Sequence, residues 1–234
     1  MRHLHVLRVG AWAALLLVPA IAKGQEREFR FTPYVGYYAP TAKLAQVNTS
    51  IGGTDIGGKF EHKNAFTLGA TGSYWMNKRV GFEVGGAWAM SDGRATMTIN
   101  GESQQLSQFA AGQSARVLFG TAKMMVGLLP LGNDSQLRLG FGPAIISRGG
   151  NAYKLDAESN GKLTGLTDIG GAVSLCTRIP MTSLLAVRLR AEDYMYQSQL
   201  KFQSHTSAAE NFNFDKKFQH DFIFSAGLQI GFRR

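Results

Sequence analysis

Hydrophobic and polar residues alternate along much of this chain. From Phe222 every second position is Phe, Phe, Ala, Leu, Ile, Phe, while Ile, Ser, Gly, Gln and Gly stand between them. A strand shows its side chains to two sides in turn, so a period of two predicts β-structure with one apolar face. The pattern recurs in eight segments, over residues 29–39, 64–76, 80–90, 115–129, 136–146, 163–179, 184–197 and 220–232. Short turns at 76–79, 130–135 and 180–183 contain Pro, Gly, Asn, Asp or Ser, and longer polar links run over 40–63, 91–114, 147–162 and 198–219. Four long loops at one end and three tight turns at the other predict an all-β, eight-stranded antiparallel up-and-down barrel. The asymmetry is that of a transmembrane barrel inserted from one side of an outer membrane.

The two parities differ in chemistry. One carries Phe66, Leu68, Phe82, Val84, Trp88, Leu139, Phe141, Leu175, Leu189 and their like, with no charged residue in the runs from Phe66 to Tyr74, Phe82 to Met90, Leu118 to Leu128, Leu137 to Ile145, Ile169 to Ile179, Leu185 to Ala191 and Phe222 to Phe232. The other carries Arg30, Glu83, Lys123, Arg138, Asp168, Arg178, Arg188, Arg190, Glu192 and Asp221 among Gly, Ala and Ser. An eight-stranded barrel has room inside for little more than its own side chains. The bulky apolar set would overfill that space and the small and charged set suits it, so the apolar face is assigned to lipid. A soluble lipocalin-type barrel, apolar inside, is the competing arrangement. Unpaired charge in a narrow interior is costly, which predicts a salt-bridged plug. Glu83 and Lys123 lie on neighbouring strands; Arg188, Arg190 and Glu192 share a strand flanked by those bearing Asp168 and Asp221. Phe31, Tyr74, Phe82 and Phe232 at the turn end, and Tyr37, Trp88 and Phe222 nearer the loop end, are expected in interfacial aromatic belts.

The opening "FTPYVGYYAPTA", the segment "RAEDYMY" over 190–196 and the terminal "FIFSAGLQIGF" resemble the small outer-membrane β-barrel proteins of the OmpA, OmpX and OmpW type. The resemblance implies assembly by the barrel-assembly machinery through an aromatic-ended last strand; outer-membrane lipid is the expected surroundings of the apolar face, and no cofactor is expected.

Composition agrees: 28 glycines, 11% aromatics and 18% charged residues in a chain of 234 lean towards β-structure. Residues 1–22 read as a cleaved signal peptide, with Arg2 and Arg8 before an apolar run that closes on Ala20, Ile21 and Ala22. That run is too short to span a bilayer, so 23–234 is expected to form one exported barrel domain. Losing the two arginines lowers the formal charge from +9 to +7, and no basic stripe for nucleic acid remains. A single cysteine, Cys176, excludes an internal disulfide framework and reads as a space-filler on the inward face. No metal site is expected at His62 or His220, which stand apart from other ligand types. His205, Ser207 and Glu210 are the residue types of a hydrolase, but a polar loop gives them no rigid support. The glycine pairs over 51–60 lack the GK[ST] of a phosphate loop and read as turns. The loops are therefore the expected recognition surface, with 211–218 continuing a hairpin above the membrane. The reading is a structural or surface-interaction barrel without catalysis. A narrow channel for small or hydrophobic solutes is the alternative, with a lipid-modifying enzyme behind it.

Overall fold

The computed structural model describes residues 28–51, 53–105, 113–132, 135–153, 161–204, 212–213 and 215–233. The strands among them are β1 (Glu28–Pro40), β2 (Ala45–Ile51), β3 (Thr54–His62), β4 (Ala65–Trp75), β5 (Val80–Ala89), β6 (Asp92–Ile99), β7 (Glu102–Gln105) and β8 (Gln113–Ser114). They continue with β9 (Arg116–Pro130), β10 (Gln136–Gly149), β11 (Gly161–Thr164), β12 (Thr167–Pro180), β13 (Leu185–Ser198), β14 (Lys201–Ser204), β15 (Phe212–Asn213) and β16 (Lys217–Arg233).

Eight of these close into a barrel in the order β1, β16, β13, β12, β10, β9, β5, β4. All neighbours are antiparallel, and the ring is sealed by β1 against β16, from Glu28 opposite Arg233 to Pro40 opposite Asp221. The tight turns have local causes. Asn77 Oδ1 accepts from the backbone N–H groups of Arg79 and Val80 at 2.8 Å each, and Thr182 Oγ1 accepts from the Leu185 N–H at 3.0 Å, so side chains hold the bends.

Exposure alternates along every barrel strand and decides which face is which. Phe66 at 52%, Val84 at 62% and Ile169 at 80% point outward, whereas Glu83 at 1% and Lys123 at 2% point into the lumen. An outer belt of aliphatic and aromatic side chains suits hydrocarbon and not water. The soluble arrangement, apolar side inward, is therefore not this fold. No helix among the described residues is long and apolar enough to cross a membrane.

The long links are where structure and sequence part company. Those between β1 and β4 and between β5 and β9 rise above the barrel as a sheet of β2, β3, β6 and β7, with β8 against β6. A second sheet joins β11, β14 and β15, so the pairing of Phe212–Asn213 with β14 extends a hairpin. These segments lie within the polar links, where glycines and scattered charges obscure the alternation, although Ile56 and Phe60 of β3 stand opposite Ile99 and Ala95 of β6 in register. Turn chemistry makes them strands: Asn100 and Gly101, with φ of 48° and 86°, form the two-residue bend between β6 and β7. The segment expected over 163–179 is broken for the same kind of reason. Gly165 sits at φ 76°, which turns the chain so that Gly161–Thr164 pairs with β14 while the barrel strand begins at Thr167.

Candidate functional site

The lumen is filled in three layers. In the middle one, Glu83 (β5), Lys123 (β9) and Arg188, Arg190 and Glu192 (β13) form one ion cluster. Lys123 Nζ lies 3.4 Å from Glu83 Oε1 and also pairs with Glu192. Arg188 pairs with Glu83, while Arg190 reaches Glu83 at 3.4 Å and Glu192 at 3.3 Å. Thr71 Oγ1 accepts from Arg190 Nη2 at 3.2 Å and Arg188 Nη1 at 3.4 Å. No side chain of the cluster is more than 3% exposed. Glu83 stands directly opposite Lys123 on paired strands, but β13 lies four places from β5 around the ring of eight. The arginines therefore span the full width of the barrel. Such a strut survives burial only because each charge meets an opposite one.

Nearer the turns, Trp75 lies between two guanidinium groups, with Arg138 Cζ 4.2 Å and Arg30 Cζ 5.1 Å from its ring centroid. Arg30 pairs with Glu28, Arg138 Nε donates to Gln136 Oε1 at 3.3 Å, and Arg178 is buried in the same layer. Met125 and Cys176 pack on Trp75, and Cys176 Sγ accepts from Arg188 Nη2 at 3.1 Å.

Towards the loops the filling is aromatic: Tyr34, Tyr38, Phe119, Tyr194, Tyr196 and Ile223 share a cluster. Here Asp221 Oδ2 accepts from Tyr196 at 2.6 Å and Tyr38 at 3.1 Å. Above the rim, His62 is bonded to Tyr38 through Nδ1 at 3.1 Å and to Tyr153 through Nε2. Tyr38 has one proton, and the Asp221 carboxylate takes it. The His62 Nδ1–H must then donate to Tyr38, and Tyr153 donates to Nε2. The imidazole is thus held neutral, and burial, helped by the positive charge of Arg148, lowers its pKa from 6.5 to about 3. Burial also raises that of the Tyr153 phenol. Phe60 rings meet both His62 and Tyr153 edge-on, at 6.2 and 5.5 Å. With Ala115, Ala152 and Leu200 they make a small core that seats the cap on the barrel.

The residues singled out by sequence divide accordingly. Arg30, Glu83, Lys123, Arg138, Arg178, Arg188, Arg190, Glu192 and Asp221 are all buried. Two expected pairings differ. Asp168 does not reach the β13 arginines but sits at the loop end, 2.7 Å from Arg148 Nη1, and Asp221 is met by tyrosines. Neighbouring strands fix adjacency and not height, and Arg188 lies opposite Arg178 at the other end of the barrel from Asp168. Glu28, Arg148 and the His62 hub were not singled out as partners. His220 pairs outside with Asp193 at 2.9 Å. Among the described residues no three His, Cys, Asp or Glu side chains stand together as metal ligands. The glycine stretch is a hairpin of β2 and β3. Residues 1–22 and the trio His205, Ser207 and Glu210 lie outside the described residues. Of the belt candidates, Phe31, Tyr37, Phe82, Trp88 and Phe232 are exposed. Tyr74 and Phe222 are half-buried on the same outer face.

No protein-family model matches the chain, and no curated protein does. Among solved structures it is similar to the outer membrane protein OprG from Pseudomonas aeruginosa, at 13% identity and a TM-score of 0.61, over 91% of this chain and 99% of that one. It is less similar to Neisserial surface protein A, at 10% identity and a TM-score of 0.46, over 88% and 96%. The E. coli outer membrane protein W follows at 17% identity and a TM-score of 0.42, over 88% and 98%. The fold of this chain is that of a small outer-membrane β-barrel of eight strands, with charged pairs buried inside it.

Proposed function

We propose that this chain is an integral protein of a bacterial outer membrane with a structural or surface-interaction role, its lumen shut to bulk solutes. The supporting observation is the ion cluster of Glu83, Lys123, Arg188, Arg190 and Glu192, whose side chains are at most 3% exposed and cross the lumen from wall to wall. The aromatic layer above it, from Tyr34 to Tyr196, is a second obstruction. Outer-membrane lipid surrounds the apolar belt, a cleaved leader and the barrel-assembly machinery deliver the chain, and the sheets above the rim offer edges and turns to an extracellular ligand. Catalysis has no part in this reading.

Purified protein in planar bilayers should give no large, steady conductance. A reproducible open pore would favour the narrow channel for small or hydrophobic solutes. Spin labels at Leu139 and Gly140 test the membrane placement: the first should collide with lipid-dissolved oxygen and the second should not. Recovery of the mature chain from the soluble periplasm would reject the proposal outright.

A further inference from the structure

The outer wall is not evenly bulky. Across β4, β1, β16, β13, β12 and β10 it carries a furrow of about 600 Å³, a volume in the range of small-molecule sites. Its loop-side bank is a row of register partners, Phe66, Tyr37, Phe224, Ala191 and Leu175. Its turn-side bank is the next outward row, Val35, Ala226, Leu189, Thr177 and Leu137. Between the banks lies the wall itself at Gly36, Ser225, Arg190 and Cys176, which stand opposite one another from strand to strand. Arg190 and Cys176 turn their side chains into the lumen, so the furrow meets their backbone.

Small bank residues, Thr177, Ala191 and Ala226, make the recess. The Thr177 hydroxyl is enclosed, which leaves its methyl to the furrow. No bank residue is charged, and the other polar side-chain group on the banks is the Tyr37 phenol. At one end the furrow runs out at Leu137, the second residue of β10 and next to a tight turn; at the other the exposed rings of Tyr37 and Phe66 bound it. Neighbouring strands are about 4.8 Å apart, so its length is about 24 Å. Barrel strands tilt by about 40°, and a furrow at right angles to them climbs about 15 Å, the depth of one leaflet of hydrocarbon. Association inside a membrane follows contact and not water exclusion. A chain lying along the floor makes such contacts over its whole length, whereas the convex wall of a second barrel would rest on the banks.

We infer that one acyl chain of a phospholipid from the leaflet at the turn end lies along this furrow, its head group beside Leu137 and its methyl end against Tyr37 and Phe66. The inference rests on the membrane placement proposed above and adds to it a lipid held at one place on the wall.

Native mass spectrometry tests it. Barrel purified from outer membranes and stripped stepwise in detergent should keep one phospholipid per barrel after the rest has gone. Ala191→Phe and Ala226→Phe fill the furrow from outward-facing positions and should lower that retention several-fold, whereas Ala122→Phe, exposed on β9 outside the furrow, should leave it unchanged. Crystals grown with phosphatidylethanolamine carrying brominated chains should show an anomalous peak between Leu189 and Phe224. Should the substituted barrels fail to fold, that peak in the unaltered chain decides. A barrel that inserts into nanodiscs yet keeps no lipid and shows no peak would overturn the furrow and leave the membrane placement standing; one that enters no bilayer would overturn both. Retention that neither substitution changes, a glycolipid of the opposite leaflet kept instead, or a dimer that the substitutions dissociate would each overturn the inference.

Discussion

The barrel contains two buried polar networks built on opposite principles. The mid-lumen cluster is made of full charges that brace opposite walls. The cap network of His62, Tyr153 and Tyr38 is made of neutral hydrogen-bonding groups that fasten one element on top of another. A neutral network loses one bond when it is cut. A charged one leaves an ion stranded in a medium that cannot solvate it, so the same number of lost contacts costs more. The cap can therefore be loosened without disturbing the wall, and the wall cannot be altered cheaply.

The largest test is Glu83→Gln, which removes one of two carboxylates that serve three cations. It should cost about 3–5 kcal/mol in urea unfolding of the lipid-embedded barrel; a loss below about 1 kcal/mol would show that the strut is solvated. Acid is the next. An open cap exposes His62 with its ordinary pKa of 6.5, while the closed cap holds it at about 3, so protons favour the open form as pH falls below 6.5. Closure should be intact above that value and weaker by about 2 kcal/mol at pH 5, read as faster amide exchange in β3 and β6. His62→Phe should abolish the part of the pH dependence that is due to this residue. Tyr153→Phe leaves the His62 Nε2 without its donor and should cost about 1–3 kcal/mol, again in cap exchange and not in barrel unfolding. Smallest is Lys59→Ala. Its pair with Glu61 is 3.8 Å long, with side chains 35% and 25% exposed, and its loss should be worth less than about 1 kcal/mol.

The contrast also explains what could be read from the chain. Period-two alternation reports which side of a strand a residue takes, and Val84, Phe141 and Ile169 outside, with Glu83 and Arg190 inside, follow directly from it. Pairing across a lumen depends on register and on the order of strands around the ring, and neither leaves a local mark. Arg188 finding Glu83, 105 residues earlier, could not be seen for that reason. His62 was invisible for another: it lies on β3, inside what reads as a polar link, and its partner Tyr153 sits in a short 3-10 turn beyond β10.

The seam between β1 and β16 joins the first and last described strands of the chain. Until both are present the wall is an open ribbon with two raw edges, each a row of amide and carbonyl groups that hydrocarbon cannot solvate. Folding thus waits on its final segment. A translation product cut short before Lys217 would have no way to shut and would be left to degradation or aggregation.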